Sequence, residues 1–208
     1  MSEYNTTELA IIAAAEEVFF EKGYNAASTT RIAEKAGVTH AMLHYYFRSK
    51  ERLFLKILDK EVDAMISGMR SVMAPGADVW DTLEKAINLY YDFLDSHRRM
   101  PFLILNVADS NPEMLEKFKR RLMRMVNIEF AKHSGRFRKW IDDGVINDIS
   151  PFQLLCTIVT MSISTFLGLP LFQNVMKMDE QQVSEYIRHR RDETVTTVKM
   201  RLFAKMND

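Results

Sequence analysis

The sequence predicts an all-α fold, with an N-terminal three-helix helix-turn-helix domain over residues 1–48 and a C-terminal helical bundle over 49–208. Three observations predict it. Apolar residues recur at steps of three and four, and no stretch alternates apolar and polar residues long enough to read as a strand. Only seven glycines and five prolines punctuate 208 residues. Two of the prolines follow capping residues, in Asn111-Pro112 and Ser150-Pro151, which read as N-cap and first-turn pairs.

Taken in order, Asn5 with Glu8 resembles a capping box, and Ile12, Ala15 and Phe19 form the apolar stripe of a first helix over 6–22 that Gly23 ends. Ser28 or Thr29 caps a short second helix through Ala36, with Gly37 in the left-handed position after it. Thr39 caps a third over 40–46, and Ser49 a fourth over 50–73, closed by "APGAD" at 74–78. Further helices are expected at 79–96, 99–108, 112–142, 151–169 and 179–205.

Composition excludes several classes. The stretch "PFQLLCTIVTMSISTFLGLPLF" is interrupted by polar residues and reads as a buried helix, so no membrane partner is expected. The acidic start "MSEYNTTELA" lacks the order of a secretory signal, which predicts a cytoplasmic protein. A single cysteine, Cys156, allows no intrachain disulfide and no two-thiolate metal site, and it reads as a small core hydrophobe. Adjacent Asp142 and Asp143 point about 100° apart on a helix, and no nucleophile elbow or glycine-rich phosphate loop exists, so no enzyme and no cofactor are expected.

Lysine plus arginine equals aspartate plus glutamate at 28 each, but the charges are segregated. Residues 1–21 hold five glutamates and no lysine or arginine, whereas residues 22–56 hold seven basic residues against two acidic ones. A local basic block is an electrostatic footprint for nucleic acid even in a neutral chain. Inside it, "GVTHAMLHYYFRSKERL" displays His40, His44, Tyr45 and Tyr46, side chains with polar tips suited to reaching a partner.

Ala33, Gly37 and Leu43 hold helix-turn-helix spacing: a small residue at the helix crossing, a glycine in the turn, an aliphatic anchor on the second helix. In such a motif the second helix enters the major groove, which places Thr39, His40, Ala41 and His44 against base edges. The stretch "FFEKGYNAASTTRIAEKAGVTHAMLHYYFRSKERL" resembles the first three helices of TetR-family transcriptional regulators, over about fifty residues at the chain's N-terminus. Two positions depart from the family's commonest pattern, His44 where tyrosine is usual and Ala41 where glycine is frequent.

The resemblance implies a homodimer that binds a double-stranded DNA operator through its N-terminal helices and a small-molecule effector through the C-terminal body. By position it implies phosphate contacts from Thr29, Thr30, Tyr45, Tyr46 and Lys50, with Arg31 on a base or a phosphate. Phe47 has no polar handle for DNA and reads as a seal on the small core. His40 and His44, at i and i+4, share a helical face that could hold a metal, but no carboxylate or thiolate stands near in sequence, and no metal is expected.

Past residue 50, methionines and phenylalanines suit a cavity for apolar ligands of varied form, with Met65, Met69, Phe93, Phe102, Met123, Phe130, Met161 and Phe166 as candidates. Lys117, Lys119, Arg120, Arg121 and Arg124 cover too much of a helix to point inward together and read as a solvated face. Apolar stripes on the last two helices, Phe152, Leu155, Val159 and Phe166 on one and Val195, Val198 and Leu202 on the other, are expected to close a four-helix bundle between subunits. The function expected is a ligand-responsive repressor. A protein-interaction adaptor that keeps the helix-turn-helix fold is the competing reading, and it leaves the polar row at 44–50 without a purpose.

Overall fold

The computed structural model describes residues 6–72 and 78–204, apart from the side chains of Met125, Glu129 and Phe130. The described residues form nine helices and no strand: α1 Thr6–Ala26, α2 Thr29–Lys35, α3 His40–Phe47, α4 Lys50–Val72, α5 Val79–Ser96, α6 Met100–Ser110, α7 Pro112–Asp142, α8 Pro151–Met176 and α9 Glu180–Phe203. Asn5 and residues 73–77, expected to cap α1 and to close α4, lie outside the described residues.

Capping chemistry sets the borders. Ser28, Thr39, Asp78, Ser150 and Asp179 each accept a bond from a backbone N–H of the first turn, and Asp179 with Gln182 forms a reciprocal capping box. Gly23 breaks α1 at φ 79°, ψ 166°, a conformation costly for any residue with a side chain, and one further turn follows it. α8 runs seven residues past its expected end at Leu169, through Pro170, and stops where Lys177 turns left-handed at φ 52°. The bias against helix before proline is steric and can be overridden. Here the C-terminal turn is closed by Met178 N–H on the Gln173 carbonyl at 3.0 Å, and Phe172 packs on Tyr186 at 5.6 Å between ring centroids.

The chain folds as two compact units that do not divide at residue 48: residues 1–64 with 102–123, and residues 65–101 with 124–208. The first two thirds of α4, most of α6 and the first third or so of α7 thus fold with α1–α3. The first unit's core is apolar and aromatic. Phe19 meets Phe54 edge-on at 5.1 Å, Tyr24 meets Phe54 at 4.9 Å, and Ile11, Ile32, Leu43, Leu53 and Met114 are fully buried around them.

In the second unit, α5, α8 and α9 enclose Ile87, Tyr91, Phe166, Leu169, Val183, Ile187, Val198 and Leu202. The Tyr91 hydroxyl lies 2.8 Å from Thr194 Oγ1 and 3.2 Å from Thr165 Oγ1, and donates to the Arg190 carbonyl at 3.0 Å. A buried phenol needs such partners, and this hub joins one residue from each of the three helices. α8 is long and apolar enough to cross a membrane, contrary to the reading of its sequence as too interrupted, yet Leu154, Ser162, Thr165, Phe166 and Leu169 bury one face of it in its own unit.

Candidate nucleic-acid interface

The reading head is built on a few buried anchors. Ala33 and Leu43 are 2% and 0% exposed, Phe47 seals the head at 5%, and Gly37 takes φ 68°, the turn conformation that favours glycine. Val38 N–H on the Ala33 carbonyl at 3.0 Å closes the turn. With that face fixed, the rest of α2 and α3 must face away from the core. Thr30, Arg31, Thr39, His40, Ala41, His44 and Tyr45 are exposed, and Thr29 and Tyr46 are half-buried.

The exposed side chains are constrained by one another. Thr39 Oγ1 accepts from Met42 N–H at 3.2 Å while standing at the helix tip. Thr29 Oγ1 and His40 Nε2 are hydrogen-bonded at 3.0 Å, and the His40 and His44 rings are 6.1 Å apart. Arg31 lies 3.8 Å from Glu21 on α1, a loose exposed pair easily exchanged for a phosphate. Among the described residues no group of three histidine, cysteine, aspartate or glutamate side chains gathers at this histidine pair or elsewhere.

Arg48 was not singled out by the sequence reading. It follows α3 directly, adopts φ 62°, and sets its guanidinium 5.7 Å from the Tyr45 ring centroid, while Tyr45 is 68% exposed and meets Tyr46 edge-on at 5.5 Å. A positive φ in a residue with a side chain is a local cost, here located beside the exposed aromatic pair. The signal that could have found it was its charge immediately after the recognition helix.

Lys50 departs from its expected role as a plain phosphate contact. Its ammonium donates to the Ala27 carbonyl at 2.9 Å and the Asn25 carbonyl at 3.3 Å and sits 4.5 Å from the Tyr24 ring centroid, and burial holds its pKa below the ordinary lysine value. It fastens the start of α4 to the α1–α2 turn, where carbonyls at a helix end lack partners within the helix and need a donor. The basic run on α7 is exposed at all five positions, as expected of a solvated face, and two of its cations also pair with acids of α4. Lys117 pairs with Glu51 at 2.6 Å, and Arg121 pairs with Asp59 at 2.5 Å and Asp63 at 3.3 Å, exposed pairs that leave the run in water.

The candidate pocket residues are not gathered. Phe102 and Met123 belong to the first unit and are exposed; Met65, Met69, Phe93 and Met161 are half-buried in the second. Phe166 is 1% exposed and packs on Tyr91, and the Phe130 side chain lies outside the described residues. A shallow apolar crevice in the first unit, too narrow for a water molecule, is lined instead by Phe54, Leu55, Leu58, Ile104, Val107, Met114, Leu115 and Phe118.

The expected subunit stripe needs correction too. Phe166, Val198 and Leu202 are 1%, 0% and 0% exposed because they fill their own unit's core, whereas Phe152 and Leu155 are exposed and Val159 and Val195 half-buried. Periodicity places such residues on one face without saying which neighbour that face meets. The exposed apolar surface continues where the helix outran its expected end, at Leu171, Phe172, Val175 and Met176.

Comparison with known proteins agrees with this head. The model of "Bacterial regulatory proteins, tetR family" matches residues 11–57. The HTH-type transcriptional activator FasR of Mycolicibacterium smegmatis is 36% identical over 85 residues, 41% of this chain and 39% of that protein. The HTH-type transcriptional repressor KstR2 of Rhodococcus jostii is 34% identical over 90 residues, 43% of each. The chain thus spans about two fifths of the length of these curated relatives. In fold the likeness extends further: the transcriptional regulator FadR from Bacillus subtilis, solved in complex with stearoyl-CoA, superposes with a TM-score of 0.68 at 19% identity, over 90% of this chain and 97% of that one.

Proposed function

The chain belongs to the TetR family of bacterial regulatory proteins, and on that premise we propose that it is a ligand-responsive transcriptional regulator. It works in the cytoplasm as a homodimer on a palindromic DNA operator and, as a repressor, lets go when a small molecule with a large apolar part binds. The observation that carries the proposal is the reading head. Ala33, Gly37, Leu43 and Phe47 are spent on holding two short helices together, and the polar side chains expected to read DNA remain at the surface, Thr29 and Tyr46 in part and the others fully, with the exception of Lys50, which is half-buried and bonded to the α1–α2 turn. An adaptor has no use for that row.

Selection of duplexes from a randomised library tests the reading. Enriched sites should be palindromic with half-sites about 10–10.5 bp apart, matching recognition helices about 34–36 Å apart in a two-fold dimer. Arg48→Ala and Tyr45→Ala should weaken binding to all duplexes alike, and loss of the arginine should lower the slope of log affinity against log salt by about 0.9. A wild-type protein that enriches no sequence overturns the proposal. Stearoyl-CoA, the ligand held by the B. subtilis FadR structure, is the first effector probe, and released DNA is the readout.

A further inference from the structure

We propose that Thr29 is a positioning residue for sequence reading: it orients His40 through the Oγ1–Nε2 hydrogen bond at 3.0 Å, so that His40 Nδ1 reads a base. The inference rests on the DNA-binding reading above and deepens it. Thr29 is the first residue of α2 and His40 the first of α3, so the bond ties the starts of two helices across eleven positions of sequence. An exposed imidazole without such a tie samples several rotamers and both tautomers, and it discriminates bases poorly. Among the described residues, His40 Nδ1 has no hydrogen-bond partner.

The direction of the bond follows from what surrounds it. His40 is the first residue of α3, and a neutral imidazole carries one N–H, whose place is set by the partner of each ring nitrogen. A threonine hydroxyl has one proton to give. Facing DNA, the strongest acceptor within reach of Thr29 is a phosphate oxygen. Thr29 O–H then donates to the phosphate, His40 Nε2–H donates to Thr29 Oγ1, and Nδ1 is left as an acceptor. In the major groove only adenine N6 and cytosine N4 offer a donor to it. One phosphate contact thereby fixes the tautomer that reads one base pair.

Library selection with wild type, Thr29→Val, Thr29→Ser, His40→Ala and the Thr29→Val/His40→Ala double variant decides it. Wild type and Thr29→Ser should favour adenine or cytosine at one position of each half-site. Thr29→Val should lose about tenfold of preference there and approach His40→Ala, the scale of one good base contact. Preference elsewhere in the site should persist, and the double variant should discriminate no worse than His40→Ala alone. Uniform weakening by Thr29→Val with the preference intact would reduce Thr29 to a phosphate contact and overturn the inference. Additive losses in the double variant, or a wild-type preference for guanine or thymine at the His40-dependent position, would overturn it equally. Failure of the wild type to enrich any sequence instead removes the underlying function. Thermal melts of each variant show that the head remains folded, and Thr29→Ala, which also lacks the hydroxyl, supplies the same decision if Thr29→Val does not fold.

Discussion

The two compact units hide similar cores and expose opposite chemistries. The first turns Thr39, His40, His44, Tyr45 and Arg48 to its surface over an interior of aliphatic and aromatic side chains. The second turns out Phe152, Leu171, Phe172, Val175 and Met176, the last two about 70% exposed, and keeps its hydroxyl hub of Tyr91, Thr165 and Thr194 inside. Polar side chains on a surface cost little and can wait for a charged partner. A run of large apolar residues on one helix is costly in water and marks a surface meant to be covered. The difference teaches where to cut: on the proposed function, changes to the first unit's surface should alter recognition, changes to α8's outer face should alter assembly, and changes to either interior should unfold the chain.

The sharpest way to break that comparison is to place a charge on each side of α8 and α9. Val198→Glu buries a carboxylate in an apolar cluster where the side chain is 0% exposed. Such a change costs about 4 kcal/mol or more, visible as loss of the urea transition at neutral pH. Leu171→Glu lies at 63% exposure and should shift stability by less than about 0.5 kcal/mol. If the outer face of α8 is the subunit contact, this second variant sediments as a monomer while retaining its helical signal. A folded dimer of wild-type mass would place the contact elsewhere.

A smaller effect separates the interior of the second unit from its rim by pH. Burial of Tyr90 pushes its phenol up to about 12 from an ordinary 10.0. Because the folded state then holds this proton longer than the unfolded chain, stability is intact below pH 10 and falls as pH rises through 10 to 12. The loss is on the order of 2 kcal/mol across that window. Tyr90→Phe should remove this part of the alkaline fall without changing stability at pH 7 by as much. An identical alkaline slope in wild type and variant would show that Tyr90 is solvated.

Much of this was legible in the sequence, and the failures have physical causes. The helix borders at 79–96 and 112–142 coincide with α5 and α7, because Asp78 and Asn111 are capping residues whose bonds are local. The head was legible for the same reason, since the tie from Gly37 to Ala33 and Leu43 spans few residues. What escaped was non-local. That Lys50 Nζ would meet carbonyls 23 and 25 positions away, or Arg121 an aspartate 62 away, is decided by packing that periodicity does not encode. Val198 and Leu202 were misassigned to a subunit surface on the same ground, a correct stripe given the wrong neighbour.

Within the second unit, Tyr91→Phe tests whether the hub contributes structure or only occupies space. The phenylalanine ring fills the same volume, and Thr165 and Thr194 keep their own bonds to the Met161 and Arg190 carbonyls at 3.1 and 2.9 Å, so neither hydroxyl is orphaned. The loss should be about 1 kcal/mol, the net worth of an ordinary hydrogen bond. Urea denaturation measures it, and a loss above about 3 kcal/mol would mean that the three hydroxyls act as a coupled network.

The least effect should come from the ion pairs that join α4 to α7 in the first unit. Arg121 meets Asp59 and Asp63 with its side chain about half exposed, and pairs of that kind contribute about 0.2–1 kcal/mol and weaken with salt. Asp59 adds a pH signature. Burial raises its pKa above the ordinary carboxylate value, and Arg121, the next-largest influence, opposes the rise. A raised carboxyl stabilises the folded state below its unfolded pKa and loses that contribution as pH climbs through the folded value. Removing Arg121 widens this window, so Arg121→Ala should be more destabilising at pH 7 than at pH 3.5, where Asp59 is largely protonated in both proteins. Urea titrations at the two pH values, at low and high salt, read the difference, and a double-mutant cycle with Asp59→Asn isolates the pair. Equal losses at both pH values would show that Arg121 acts through packing of its aliphatic stem rather than through its charge.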